Sequence, residues 1–368
     1  MYIYKHNDWP NFTWKNEAIM PVLLSVRHRQ GRLIGRMEGL GFSLQNEVML
    51  QTMTLEVIKT SEIEGEILDV DQVRSSIARR MGMDIAGLVP SDRNVDGVVE
   101  MMLDATQNFD QPLTQDRLFD WHAALFPTGR NGMQKLTVGA WRSSANEPMQ
   151  VVSGPMGREK VHFEAPSSER LQKEMDRFLE WFNASADIDP VLKAALAHLW
   201  FATIHPFEDG NGRIARTIAD MQLSRADGVL QRFYSMSAQI RIERKAYYDI
   251  LEATQRGSLD ITQWLEWFLA CFSKALDAAE LTLSSVLRKA KAWEILSDKK
   301  INERQKLMIN KLLDGFEGKL TTAKWAKIVK SSHDTALRDI QNLVEKQVLI
   351  KEEAGGRSTS YNLVEAFL

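Results

Sequence analysis

Residues 205–216 read HPFEDGNGRIAR and break an otherwise helical run. The preceding residues, DPVLKAALAHLWFATI (189–204), read as a buried amphipathic helix opened by Asp189 and Pro190. The following IARTIADMQLSRA is helical again. A core helix pair is thus joined by His-Pro, two acids, two glycines around an asparagine, and two arginines three apart. Gly210 and Gly212 let successive backbone N–H groups turn inward where the next helix begins, which makes an anion site from backbone dipoles. Arg213 and Arg216 share one face of that helix and can reach further phosphates. Asp209 beside such a nest is repulsive unless a cation lies between them, and Mg²⁺ is the natural choice. His205 is the one group here able to take a proton near neutral pH. Together these residues describe phosphoryl or nucleotidyl transfer from a polyphosphate to a hydroxyl. A capped interhelical loop with surface arginines would explain any one of them but not the full set.

The chain has 368 residues, 44% hydrophobic and 26% charged, which suits two or three globular domains. A formal net charge of −3 gives no global attraction to nucleic acid or anionic membrane. One cysteine, Cys271, lies in the apolar stretch WLEWFLACFSKAL and reads as a buried, inert thiol. The N-terminal MYIYKHNDWPNFTW lacks the basic-then-apolar pattern of a secretion signal. No apolar run approaches the roughly 18–20 residues of a membrane span. A cytoplasmic location without a membrane partner is expected.

Helical spacing runs from about Trp14 to Leu50 and on through EVMLQTMTLEVIKTSEIEGEIL. GLVPSDRN breaks it, and VDGVVEMMLDATQNF and LTQDRLFDWHAALFP follow as helices. MQVVS and KVHFEA, separated by GPMGRE, read as a β-hairpin, the one convincing hairpin before residue 300. Helices resume at SSERLQKEMDRFLEWFNAS and continue to about Leu296, where SDKKIN marks a boundary. Residues 299–368 carry 13 Lys/Arg and 9 Asp/Glu, so this segment is basic while the rest is acidic. Its order is three helices, with a turn at Ser331 and Ser332 before the third, and then a strand pair around EAGGRS. That is the order of a winged helix-turn-helix. The expected fold class is mainly α, with domains at 1–100, 101–296 and 299–368.

HPFEDGNGRIAR resembles the signature of the Fic family, His-Pro-Phe-x-Asp/Glu-Gly-Asn-Gly-Arg-x-x-Arg, with every specified position matched. The likeness extends over most of residues 1–290. It implies a Fic-type helical bundle with a β-hairpin flap, and transfer of AMP from ATP to a Ser, Thr or Tyr hydroxyl of a protein target. By this resemblance His205 is the general base, Asp209 holds Mg²⁺, and Gly210, Asn211 and Gly212 cradle the phosphates. Arg213 and Arg216 take the β/γ end. The hairpin at 149–163 would pair with an extended target segment, since strand addition needs no particular sequence. Tyr247 and Tyr248 are candidates for an adenine pocket or for ordinary helix packing.

The resemblance also gives meaning to TSEIEG, residues 60–65, read as helical. The family's inhibitory signature, Ser/Thr-x-x-x-Glu-Gly/Asn, maps onto Thr60, Glu64 and Gly65. It implies that Glu64 pairs with Arg216 and leaves the α-phosphate misaligned, and a displacement of about 1 Å can cost roughly 10²-fold in rate. Two other readings remain open: removal of AMP by the same site, and a DNA-binding regulator in which the Fic portion is a sensor. A homodimer, and a DNA or protein partner for residues 299–368, are likewise left open. Among the other histidines, His198 reads as packed or supporting the site, and His122 and His28 as structural or surface groups.

Overall fold

The computed structural model describes all residues except 84–86, 144–147, 155–156, 186, 314, 317, 353–358 and 366–368. The chain forms two compact units, residues 1–40 with 49–279, and residues 41–48 with 280–368. These divisions lie elsewhere than the expected boundaries at 100 and 296–299. Residues 1–40 and 49–100 share one compact unit with the segment that carries the motif.

α1 (Asn16–Glu38) is followed by α2 (Phe42–Ile63), whose residues 42–48 belong to the second unit, and then within the first unit by α3 (Val70–Arg80), α4 (Arg93–Gln107) and α5 (Gln115–Leu125). The helix expected to run unbroken past Leu40 stops at Glu38, where Gly39 and Gly41 flank Leu40, and glycine is a poor helix former. Asp69, Asp92 and Thr114 cap α3, α4 and α5 by accepting from backbone N–H groups in the first turn. Gly97 lets α4 approach α5 so closely that an added Cβ would collide with the Ala124 carbonyl.

Two hairpins follow. β1 (Arg130–Asn131) and β2 (Gln134–Lys135) make a small one that periodicity cannot reveal, since each strand is two residues long. β3 (Gln150–Ser153) and β4 (Lys160–Glu164) form the expected one, antiparallel, with Gln150 opposite Glu164, Ser153 opposite Lys160, and a bulge at Val151/Val152. Part of its turn, residues 155–156, lies outside the described residues.

The remaining helices are α6 (Ser168–Asn183), α7 (Pro190–Ile204), α8 (Asn211–Asp227), α9 (Met236–Ile242), α10 (Arg244–Gln255) and α11 (Thr262–Leu296). Pro190 sits at the start of α7, and Asp189 accepts from Val191 N at 2.8 Å. α7 is not amphipathic as expected: every residue from Val191 to Ile204 is buried, the pattern of a helix enclosed on all sides. It packs along α8, and their junction is the motif.

α2 is fixed to the same core by a buried polar group. Glu56 accepts from Ser235 Oγ at 2.6 Å and from Ser237 N at 3.1 Å. Beside it lies Asp220 of α8, which pairs with Arg232. Burial, then the neighbouring Glu56 carboxylate, pushes the Asp220 carboxyl well above its usual range despite Arg232. α2 is thus held on the start of α9, about one turn before Thr60.

In the second unit, α12 (Glu303–Leu313) precedes β5 (Leu320–Thr321), α13 (Thr322–Ile328), α14 (His333–Glu345), β6 (Leu349–Lys351) and β7 (Ser360–Leu363). The strands form an antiparallel sheet in the order β5-β7-β6. Met308, Leu320, Trp325, Ile340, Leu343 and Leu363 contribute to its core. Ser332 caps α14 by accepting from Thr335 N at 3.2 Å. Asp339 does not add to the outer charge of α14: it is buried and held by Arg304 Nε at 2.7 Å. The strand tip expected at 353–358, with Arg357, lies outside the described residues. No helix among the described residues is long and apolar enough to cross a membrane.

Candidate active site

His205 ends α7 in the left-handed region (φ 52°, ψ 59°), a conformation unusual for any residue but glycine and costing of order 1 kcal/mol or more. Asn211 closes the turn after it. Its side-chain carbonyl accepts from Phe207 N at 3.0 Å and its amide donates to Phe207 O at 2.8 Å, so the loop is tied to the first residue of α8. Phe207 is fully buried and stacks on His122 at 4.2 Å between centroids. His122 is therefore a structural group under the loop, and burial lowers its pKa to about 4.

Arg142 grips the turn from outside the motif. Its Nε donates to His205 O at 2.9 Å, its backbone N to Pro206 O at 2.9 Å, and its Nη2 to Pro166 O. Nothing in GAWRSS marks this arginine by spacing, because its partners are carbonyls far away in sequence. Burial, with Arg142 acting in the same sense, lowers the His205 pKa to about 4, so the ring is neutral at pH 7. Nδ1 faces Ala202 O at 3.4 Å, which leaves Nε2 as the free acceptor when the proton sits on Nδ1.

Gly210 caps the start of α8, and its φ of 80° and contact with the Phe126 ring admit only glycine. Asp209 lies just outside. Its Oδ1 accepts from Gly210 N at 2.6 Å and its Oδ2 from Asn131 Nδ2 at 2.5 Å, so the β1–β2 hairpin orients it. Among the described residues no three His, Cys, Asp or Glu side chains converge on one point to hold a metal. One carboxylate beside an anion nest still fits Mg²⁺, which keeps its waters and is held by one or two carboxylates plus substrate phosphates.

Both motif arginines are occupied. Arg216 is buried, and its Nη2 donates to Glu64 Oε1 at 2.7 Å and to Thr60 O at 3.0 Å, while its Nε donates to Thr60 Oγ1 at 2.9 Å. Among the described residues no hydrogen-bond acceptor meets the buried Arg216 Nη1. Burial disfavours both charges, but each is outweighed by the other. The Glu64 carboxyl sits below its usual range, with Arg216 and then Arg213 responsible, and the Arg216 guanidinium is held more firmly protonated than usual. Arg213 donates to Glu66 Oε2 at 2.8 Å and lies over the Phe126 ring. Glu66 is one residue beyond the TSEIEG signature, so the motif did not reveal it.

Residues 60–65 are not helical throughout. α2 ends at Ile63, and Gly65, at φ 88°, closes the helix: its N–H donates to Glu62 O at 3.1 Å and the N–H of Glu66 to Ser61 O at 3.0 Å. This left-handed cap turns the chain so that Glu64 and Glu66 both reach α8. Arg244 Nε donates to Ile63 O at 2.7 Å and fixes the cap from α10.

Glu64, His205, Asn211 and Gly212 line one cleft of about 730 Å³, whose other walls come from β3, β4 and α10. That volume suits a small-molecule ligand. Tyr248 lines it and its hydroxyl lies 3.4 Å from Glu64 Oε2. Tyr247 also lines it, but is buried with its hydroxyl 3.0 Å from His198 Nε2. Burial lowers the His198 pKa to about 3, as suits a packed neutral ring. His28 is exposed, and Cys271 is buried far up its pKa scale, chiefly by desolvation.

Residues 112–223 match the Fic/DOC family, and residues 2–83 match a domain of unknown function, DUF4172. Residues 112–223 thus carry a Fic/DOC family domain. The sea anemone Nematostella vectensis has a relative named protein adenylyltransferase Fic that is 33% identical over 117 residues, 31% of this chain and 25% of that protein. One of the same name in Drosophila willistoni is 36% identical over 105 residues, 28% of this chain and 20% of that protein. The match thus spans a quarter or less of these relatives' length. A solved Fic family protein from Desulfovibrio desulfuricans aligns over 97% of this chain and 98% of its own, with a TM-score of 0.53 and 20% identity, a likeness of fold. The mainly helical Fic fold expected from the motif is the one observed.

Proposed function

We propose that this Fic-domain protein transfers AMP from ATP to a Ser, Thr or Tyr hydroxyl of a protein target, and that Glu64 restrains it. The observation that carries the reading is the convergence of a neutral, acceptor-ready His205 and the glycine-bounded start of α8 on one cleft. In the reaction the target oxygen attacks the α-phosphorus, and His205 Nε2 takes its proton. The bond from the α-phosphorus to the bridging oxygen breaks, and pyrophosphate leaves with the electron pair. The N–H groups of Gly212 and its neighbours meet the phosphates at the helix start, and Arg213 and Arg216 complete the anion site. Asp209 would hold Mg²⁺ together with the phosphates, and the ion would supply charge neutralisation for the leaving pyrophosphate.

Restraint is supported by the position of Glu64. An Arg216 held by Glu64 and Thr60 is not available to the γ-phosphate, and the carboxylate itself rests at the anion end of α8. The β3–β4 hairpin, on the rim of the same cleft, is the flap along which an extended target segment would add as a strand.

For residues 299–368 we infer a winged-helix-type docking module, on the order α12, β5, α13, α14, β6, β7. The exposed residues of α14 include His333, Asp334, Arg338 and Glu345, a mixture of signs that favours a protein partner over a phosphate backbone. Salt-dependent binding of duplex DNA by the full chain would contradict that preference.

The test of the reaction is labelled-ATP transfer by the Glu64→Gly protein in a lysate, with mass spectrometry of labelled peptides. AMP on hydroxyl side chains, lost about 10²–10⁴-fold in a His205→Ala, Glu64→Gly double variant, is expected. Transfer at an undiminished rate without His205 would overturn the mechanism.

A further inference from the structure

The turn that carries His205 is shadowed by a second segment outside the signature. Residues 137–142, TVGAWR, meet residues 208 to 205 in reverse order. Thr137 donates from its backbone N to Glu208 Oε2 at 2.9 Å and from Oγ1 to Glu208 Oε1 at 3.1 Å. Gly139 N donates to His122 Nδ1 at 3.2 Å, and that ring stacks on Phe207. The Trp141 ring lies 5.0 Å from the Phe207 ring between centroids. Arg142 ends the run, with its backbone N on Pro206 O and its Nε on His205 O, both at 2.9 Å.

The strap answers a need of the turn. A left-handed residue such as His205 persists only where its surroundings over-determine it. Its carbonyl, at the end of α7, has no partner inside the helix, and the Arg142 guanidinium supplies one. Arg142 is buried, so water does not compete for that contact. The same guanidinium reaches the flap. Its Nη2 donates to Pro166 O, just past β4, where Ala165 N still pairs with Met149 O at 2.9 Å. On its other side the flap rests on α10, where Glu252 Oε2 meets His162 Nδ1 at 2.6 Å and Arg256 Nε donates to His162 O at 2.8 Å. Of these anchors only Arg142 also grips the turn of His205.

We propose that Arg142 is a positioning residue that couples the flap to the base, fixing the distance between a hydroxyl presented along β3–β4 and His205 Nε2. The proposal rests on the reading that this cleft transfers AMP to a target segment laid along the flap. Arg142 acts through the carbonyls of His205, Pro206 and Pro166 and not on the reacting atoms. Its charge has a separate effect. The charged groups that act most on the His205 ring are Arg142, which disfavours the imidazolium, and Asp209 and Glu64, which favour it. Substitution separates the two contributions. Arg142→Lys keeps the cation but cannot span both carbonyls as the planar fork does, and Arg142→Gln loses the cation as well.

The experiment uses the full-length Glu64→Gly protein and its Arg142→Lys and Arg142→Gln derivatives, with labelled ATP, Mg²⁺ and a lysate. Thermal melting verifies that each is folded. Both substitutions lower AMP incorporation at saturating ATP by about 10²-fold, the cost of a misplacement of about 1 Å, and the ATP concentration giving half-maximal rate stays unchanged. The His205 imidazole, titrated by NMR without nucleotide or Mg²⁺, keeps its midpoint near 4 in Arg142→Lys and moves up toward 6.5 in Arg142→Gln. Thr137→Val removes only the hydroxyl bond at the exposed end of the strap and lowers the rate a few-fold. If the buried Arg142 variants do not fold, this variant decides, and an undiminished rate in it overturns the proposal. A rate in folded Arg142→Lys equal to that of its parent overturns it, as does a fall that higher ATP restores. No incorporation by Glu64→Gly itself overturns the transfer reading instead. The hold on His205 is then decided by the imidazole titration, where an unmoved midpoint in Arg142→Gln overturns it too.

Discussion

Glu64 Oε1 accepts from Arg216 Nη2 at 2.7 Å and lies so close to Gly212 that a Cβ there would collide with it. The carboxylate therefore occupies two things an incoming polyphosphate needs, a guanidinium and the open backbone of a helix start. Both belong to α8, whereas Glu64 is delivered by the capped end of α2. The competition between an internal carboxylate and an external phosphate for one helix end is the physical content of the proposed restraint.

Arg213 is held in the same way by Glu66, at 2.8 Å, but about a third of that carboxylate is accessible. An accessible pair is worth on the order of 1 kcal/mol or less. Glu66→Ala alone should raise AMP transfer by a few-fold at most, and in the Glu64→Gly background it should lower the KM for ATP. Initial rates across an ATP titration would show this, and an unchanged KM in that background would mean Arg213 does not meet the nucleotide.

The depressed pKa of His205 fixes the acid limb of the pH profile. Because burial favours the neutral ring, the base form persists as pH falls until about 4, instead of being lost near 6.5. In the Glu64→Gly protein, kcat/KM should stay level from pH 7 to pH 5 and drop only below that. A half-maximal point near pH 6.5 would mean that His205 is solvated in the working enzyme.

Gly97 sets the approach of α4 to α5, with the Ala124 carbonyl directly against it. Gly97→Ala should destabilise the first unit by about 1–3 kcal/mol, the usual cost of overpacking, despite the better helix propensity of alanine. Thermal unfolding followed by circular dichroism would register a lower midpoint, and an unchanged midpoint would contradict the close approach.

Much of the site is legible in the sequence because its residues are adjacent. HPFEDGNGRIAR carries the candidate base, the helix start and both arginines within twelve residues, and its glycines and asparagine have few other uses at that spacing. The alternation in MQVVS and KVHFEA likewise reveals the hairpin. What escaped are groups whose meaning lies in tertiary contacts. Arg142 serves backbone carbonyls of the His205 turn, and Glu252 meets His162 from 90 positions away. The end of α2 at Ile63 escaped for a different reason. Helical pattern continues through TSEIEG, and only the left-handed Gly65 shows that Glu64 leaves the helix to reach α8.

The central claim is that Glu64 withholds Arg216 from ATP, and the most direct measurement is the rate of AMP incorporation at saturating Mg·ATP. It should be made for the wild type, Glu64→Gly, Arg216→Ala and the double variant. A shift from mostly closed to mostly open takes about 5.5 kcal/mol for 1:99 to 99:1. Breaking a buried pair supplies several kcal/mol, less here because Glu64 keeps 31% of its side chain accessible. Glu64→Gly should therefore exceed the wild type by about 10- to 10²-fold, while Arg216→Ala and the double variant are both inactive, since the gain runs through that arginine. Equal rates for wild type and Glu64→Gly, or a double variant as active as Glu64→Gly, would contradict the account.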